Sequence, residues 1–374
     1  MCRSCSDYGV MPRGVASVEH GIVYKDPQAY SCFPAITRRK NGELWVSFRR
    51  AGGFSLEALR RGKYDHVDKG ARIAVARSLD DGLTWETPRI LPPFDPECGE
   101  QDPSITELST GVLLINFFRW RVVPPEEKHR LPYPARRQYD GSWSDVEGPW
   151  IIRSYDGGQT WESSPVSVDS RPLRCAGTSD AVLELGDGTL LMGIYGADAG
   201  SAVCRAYCVR STDGGSTWGQ PALIARDAEN RVSFEEPALA LAPQGHLLAL
   251  LRSGEPGRYQ YLYQACSYDG GHTWVELHQT PMWGHPAQVC VMADGRIVCS
   301  YGYRREPYGV RACISADGGR TWDIEREYIL RDDGASRDLG YPSTTQLADG
   351  TMVTVYYIHG DDGIRHIACT RWRP

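Results

Sequence analysis

No stretch of the 374-residue sequence approaches the roughly 20 consecutive apolar residues that a membrane-spanning helix needs, so no membrane partner is expected. The opening residues, MCRSCSDYGVMPRGVASVEH, lack the apolar core of a secretory leader, and a cytoplasmic location is expected. Positive charge is short as well. Lys and Arg number 41 against 47 Asp and Glu, a net charge of -6, whereas nucleic-acid binding calls for a strongly basic face. Clusters such as Arg38-Arg39-Lys40 and Arg60-Arg61 read as solvated surface. Cys2 and Cys5 form a CxxC pair without a second pair or neighbouring histidines, so no metal site is expected. Cys290, Cys299, Cys313 and Cys369 lie in apolar, strand-like runs, where a free thiol serves as a small core hydrophobe. Long polar tracts are also missing. With 41% hydrophobic residues and 24% charged, the chain has what a large folded core requires.

What the sequence does hold is a repeat. The octapeptide Ser-x-Asp-x-Gly-x-Thr-Trp occurs at Ser78–Trp85, Ser154–Trp161, Ser211–Trp218, Ser267–Trp274 and Ser315–Trp322, with starts 76, 57, 56 and 48 residues apart. A second repeat alternates with it: a hairpin signal at Gly42, Gly111, Gly188, Gly245, Gly295 and Gly350, each followed by an apolar strand such as ELWVSF or TLLMGIY. Asn41-Gly42, Asp187-Gly188, Asp294-Gly295 and Asp349-Gly350 accept the positive φ of tight hairpin turns. Six hairpins predict an all-β, six-bladed β-propeller. The last blade runs out of chain before an outer strand, and Ser17–Tyr24 is expected to supply one and close the ring. The sequence therefore divides into an N-terminal extension, 1–16, and one propeller domain, 17–374.

The Asp of the octapeptide recurs in blade after blade, where an active site needs each group once. Its expected role is structural: Asp and Thr side chains bond to backbone within the turn while the Trp packs below. A site belongs at the opposite end. Counting back nine residues from the hairpin glycines reaches Phe33, Asp102, Ser179, Glu236 and Tyr341, and ten from Gly295 reaches His285. All but Ser179 precede a proline, which suits the first position of a strand because proline has no N–H to donate. These residues are expected to ring a central funnel. Arg49 and Arg252 each lie seven residues after their hairpin glycine, and Arg304 and Arg305 lie nine and ten after Gly295. Guanidinium groups there suit an anionic or polyhydroxylated ligand. Insertions at Ala51–Gly70 and Trp120–Pro149 are expected to overhang the rim, bringing His66, Asp68, Tyr133 and Arg136 as further candidates.

The octapeptide is the Asp-box, and from about residue 20 to its end the chain resembles the sialidase superfamily of glycoside hydrolases. Blade six, GYPSTTQLADGTMVTVYY, resembles the segment that holds the family's nucleophilic tyrosine, which implies that role for Tyr341. Blade four, EEPALALAPQGHLLALLR, resembles the segment with the glutamate that activates the tyrosine and the second arginine of a carboxylate-binding triad, implying Glu236 and Arg252. Blade five implies Arg304 or Arg305, or else Arg311, as the third arginine. The first arginine is replaced by Cys32. For the family's acid/base aspartate, Asp68 and Asp102 both remain candidates. Sialidases use a tyrosine where most glycosidases use a second carboxylate.

The resemblance implies a retaining exo-glycosidase that takes a carbohydrate substrate, a terminal sialic acid or a related sugar, and needs no cofactor. Two other readings stay open. One is a propeller polysaccharide lyase or non-sialic glycosidase with His285 and Tyr341 as base and acid. The other is a non-catalytic sugar-binding propeller. The convergence of ionisable groups on one rim favours an enzyme. Oligomeric state is not legible.

Overall fold

The computed structural model describes residues 18–53, 56–60, 66–131, 135–138, 140–198, 201–255, 258–259 and 261–374. Tyr133, the extension 1–16 with Cys2 and Cys5, and Ser17 lie outside these described residues.

Each hairpin glycine takes a positive φ, from 83° at Gly188 to 94° at Gly42, and turns one apolar strand back on another. Six antiparallel sheets result. Blade one comprises Tyr30–Arg38, Leu44–Ala51, Arg72–Ser78 and Arg89–Ile90; blade two comprises Cys98–Glu107, Leu113–Val123, Trp143–Ser154 and Val166–Ser167. Blade three has Arg174–Gly177, Leu190–Ala197, Cys204–Ser211 and Ala222–Ala225; blade four has Ser233–Leu241, Leu247–Glu255, Tyr261–Ser267 and Val275–Trp283. Blade five is Ala287–Val291, Ile297–Tyr303, Gly309–Ser315 and Tyr328–Arg331. Blade six is Gly340–Gln346, Met352–Ile358 and His366–Trp372, completed by Val18–Tyr24, whose Val18 pairs with Trp372 and Ile22 with Ala368. The fold is a six-bladed β-propeller.

The core is divided among the junctions between blades. Leu44, Val46 and Phe48 of blade one pack with Val353, Val355 and Tyr357 of blade six. Five further apolar clusters fill the junctions one–two, two–three, three–four, four–five and five–six. The described cysteines are free, and Cys32, Cys208, Cys299, Cys313 and Cys369 are among the buried ones. The five octapeptides form the structural turns expected of them. In the first, Asp80 accepts from the Thr84 N–H at 2.9 Å and from Ser78 Oγ at 2.8 Å, and Ser78 Oγ accepts from the Gly82 N–H at 2.9 Å. The same bonds recur at Ser154, Ser211, Ser267 and Ser315.

One expectation needs correction. In blades one, two, four and six the prolines stand not at the head of the first strand but inside it. The register shifts between Cys32 and Ala35, Gln101 and Ser104, Glu235 and Ala238, and Gly340 and Ser343. Each shift is a bulge that leaves one position unpaired, which a proline nitrogen tolerates.

Closure by the N-terminal strand makes a testable claim. Removing residues 1–24 uncovers the edge of His366–Trp372, and an open edge is a template for association. Relative to a form lacking only 1–17, the shorter chain should melt several degrees lower and scatter light on heating; equal melting and no scattering would remove the strand from the closure.

Candidate functional site

The bulges aim the site. Phe33, Asp102, Glu236 and Tyr341 adopt φ of 54°, 47°, 51° and 49°, a left-handed conformation that costs a side-chain-bearing residue about 1–2 kcal/mol. Strain of this kind collects where a side chain must be held in one direction. All four are 3–8% exposed, and they meet at the end of the ring opposite the Asp-boxes.

Tyr341 and Glu236 are joined. The Tyr341 hydroxyl donates to Glu236 Oε1 at 2.5 Å, while Arg252 Nη1 donates to both Glu236 oxygens at 3.1 Å. Arg252 Nε also lies 3.5 Å from Glu235. Burial, then the charge of Glu236, pushes the Tyr341 phenol well above its usual range. Phe33 lies against the same ring at 4.4 Å between centroids, and the Arg304 guanidinium stands 5.7 Å from it.

Asp102 is buried deeply enough that desolvation, reinforced by Glu236, raises its carboxyl well above the normal carboxylate range against the pull of Arg49 and Arg252. Its Oδ1 has no partner among the described residues. His285 is 1% exposed, and burial with Arg304, Arg252 and Arg337 around it lowers its pKa well below the usual value. The imidazole is therefore neutral.

Arg49 stands directly across the strand pair from Cys32 and donates Nη1 to its Sγ at 3.4 Å. Its Nε and Nη2 are buried without a partner among the described residues. Burial pushes the Cys32 thiol up, so it faces the guanidinium as a neutral group. Asp68 is close enough to act on the Arg49 charge, yet its two oxygens are taken by the Gly53 and Gly70 N–H groups at 2.8 and 2.7 Å. His66 packs on Phe33 at 5.1 Å between ring centroids and lies 3.7 Å from Asp338.

Other candidates fall elsewhere. Ser179 is half-buried beside blade two, its carbonyl accepting from Ser104 Oγ at 3.3 Å, and it is not at a bulge. The count failed because the first strand of blade three breaks, with Gly177 pairing Tyr195 and the next pairs resuming only at Leu183. Arg305 is exposed on the rim, stacked 4.2 Å from the Trp283 ring. Arg311 is buried in blade five, donating to the Arg331 carbonyl. Arg136 lies exposed in a short strand at the edge of blade two.

Two features escaped the sequence. Tyr195 stands near the charges of Glu236, Asp102 and Glu235. It lies seven residues after Gly188, the offset that picked out Arg49 and Arg252, so the signal was there but a search for cations passed over it. Asp338 is the second. It accepts from Tyr30 at 2.7 Å, Tyr357 at 3.1 Å and Arg365 Nε at 2.8 Å. Only its place just before blade six hinted at this. As for a metal, Asp95, Cys98 and Glu147 have ligand atoms within 4.8 Å of one another. Arg121 donates to both carboxylates and fills the place a cation would take.

Comparison with known proteins gives the following. The BNR repeat-like domain family matches residues 127–355, well over half of the chain. A sialidase of Bacteroides fragilis is 24% identical over 321 residues, 78% of this chain and 54% of its own length. A sialidase of Micromonospora viridifaciens is 23% identical over 368 residues, 86% of this chain and 49% of its own length. The chain thus spans about half the length of these relatives. A crystal structure of a protein of unknown function from Dyadobacter fermentans superposes with a TM-score of 0.85 at 30% identity, covering 96% of this chain and 99% of that one.

Asp338 offers a test of the rim's construction. Burial alone would raise its pKa, but hydrogen bonds and charge from His66 and Arg365 hold it well below the usual carboxylate range. Because the folded pKa is depressed, its stabilisation is complete above the unfolded value of about 3.9 and is lost as pH falls below it. Asp338→Asn removes the carboxylate that accepts from Arg365 Nε and should cost about 1–3 kcal/mol at neutral pH. Urea unfolding should show that gap and show it narrowing below about pH 4; a constant gap would assign the loss to packing.

Proposed function

The chain belongs to the BNR repeat-like family, and on that footing we propose that it is an exo-acting retaining glycoside hydrolase of sialidase type, releasing a terminal sialic acid or a related sugar. One observation carries the proposal: the chain of short bonds from the Tyr341 hydroxyl through Glu236 to Arg252. In this reading Tyr341 attacks the anomeric carbon as Glu236 takes the phenolic proton. A phenol whose pKa is raised does not ionise in advance, so the base must act during the attack. Arg252 fixes the Glu236 carboxylate for that step. Water then releases the sugar from the tyrosyl intermediate, with the proton returned to Tyr341.

Proton transfer to the leaving oxygen falls to Asp102 or Asp68. Asp102 suits an acid because burial favours its protonated form. Asp68 must first be released from the Gly53 and Gly70 amides. The neutral, buried His285 keeps the lyase reading alive, since a base must start unprotonated. Product mass separates the two: hydrolysis adds water, whereas elimination leaves an unsaturated sugar.

Tyr341→Phe keeps the ring and deletes the hydroxyl. Turnover of the preferred glycoside should fall by about three orders of magnitude or more while sugar affinity holds. Activity within about tenfold of the parent would take Tyr341 out of the chemistry. In the same assay Arg49, opposite Cys32, stands in for the missing arginine toward an anionic sugar. Arg49→Ala should lower kcat/KM for a 4-methylumbelliferyl sialoside about 10- to 100-fold, the value of one charged hydrogen bond. Undiminished turnover would show that the carboxylate is bound without Arg49.

A further inference from the structure

Five second strands bring the residue seven places after the hairpin glycine to one level around the axis: Arg49, Phe118, Tyr195, Arg252 and Tyr357. Their first-strand partners are Cys32, Gln101, Gly177, Glu235 and Gly340. In blades one, two, four and six the residue after that partner points into the funnel. In blade three it does not. Thr178 follows Gly177, is fully buried, and donates Oγ1 to the Gly193 carbonyl at 2.9 Å. Blade three carries its bulge two residues before Gly177, at Cys175, which takes φ 53° between the pairs Arg174–Ala197 and Gly177–Tyr195 and donates Sγ to Asp145 Oδ1 at 3.0 Å.

Tyr195 approaches the site from the second strand, near the carboxylates of Glu236, Asp102 and Glu235. A Cβ on Gly177 would lie 2.9 Å from Tyr195 Cζ and 3.0 Å from its hydroxyl oxygen, so the phenol end of the ring rests on the bare Gly177 backbone. Only glycine leaves room for it. The ring stays partly exposed, and its hydroxyl makes no hydrogen bond among the described residues. Burial and the carboxylates of Glu236, Asp102 and Glu235 hold the phenol well above its usual pKa, so it is a proton donor at every physiological pH.

We propose that Tyr195 is a specificity-determining residue whose hydroxyl donates a hydrogen bond to a free hydroxyl on the edge of the bound sugar that faces blade three. A ring bearing a bulky acylamino group on that edge would meet the phenol instead of an apolar wall. The inference rests on the funnel being a sugar site, and its test is separable from the catalytic reading.

The test uses the full chain, a panel of 4-methylumbelliferyl glycosides, and the monodeoxy analogues of whichever is cleaved fastest. Tyr195→Phe should lower kcat/KM on that glycoside about 3- to 12-fold, the weight of one neutral hydrogen bond. On one monodeoxy analogue, variant and parent should be equal. Parity within twofold on the parent glycoside, or the same loss on every analogue, overturns the proposal, the latter because it marks a packing role. Matching thermal unfolding of variant and parent excludes a folding defect. If no glycoside is cleaved, the hydrolase reading fails, and Tyr195 is judged by calorimetric binding of N-acetylneuraminic acid, galactose, rhamnose and arabinose. A loss of affinity of about 3- to 12-fold for a sugar that the parent binds upholds the proposal; no loss, or no binding by the parent, overturns it.

Discussion

A blade is a twisted sheet with two apolar faces, and it can bury both only with a blade on either side. That is why the core lies in six inter-blade clusters, and why the ring must close. Closure by Val18–Tyr24 ties residues at the two ends of the described chain into one sheet, so the last junction forms only when both are present. The first strands of blades four, five, six, one and two then stand side by side around the axis. Whatever they carry at their heads is brought together whether or not it attracts.

Some of what they carry does repel. Glu235, Glu236 and Asp102 share a small, poorly hydrated volume, and the cost is visible in the raised pKa values of Asp102 and Glu235. Arg252 is spent on this problem, facing both glutamates. An arginine so engaged has less of its fork to offer a substrate carboxylate. Arg49 is the complement. It has only a sulfur for a neighbour across the strand, and two of its nitrogens are unpartnered. Burying a guanidinium in that state is costly. In the proposed reading a bound anionic sugar completes it, and the anchoring charge lies one strand outward from Cys32.

The parts of this arrangement that were legible in the sequence are those fixed by local chemistry. Asp-Gly turns and Ser-x-Asp-x-Gly-x-Thr-Trp boxes are short-range devices, so six blades and their ends could be counted. Glu236 and Tyr341 were legible because blades four and six keep nine residues between bulge and hairpin. Blade three does not keep it: extra residues between Gly177 and Leu183 push its bulge back to Cys175, four residues before the Ser179 that the count reached. Asp338 lies before its strand, outside any count. Its partners Tyr30, Tyr357 and Arg365 come from distant parts of the chain, and no spacing records that meeting.

Five first strands carry a bulge with one residue in the left-handed conformation: Phe33, Asp102, Cys175, Glu236 and Tyr341. A propeller narrows toward its axis, so a side chain from the first strand must be turned upward by a bulge to reach open space, at the cost of a strained φ. Blade three sets its bulge nearer the start of its strand, two residues before Gly177 at Cys175, whose Sγ bonds to Asp145, while Tyr195 stands near the carboxylates from the second strand. The bulge gives a short, rigid reach suited to Glu236 and Tyr341, which must meet at 2.5 Å. The left-handed bulges thus hold Glu236 and Tyr341 against one another at a cost in backbone strain.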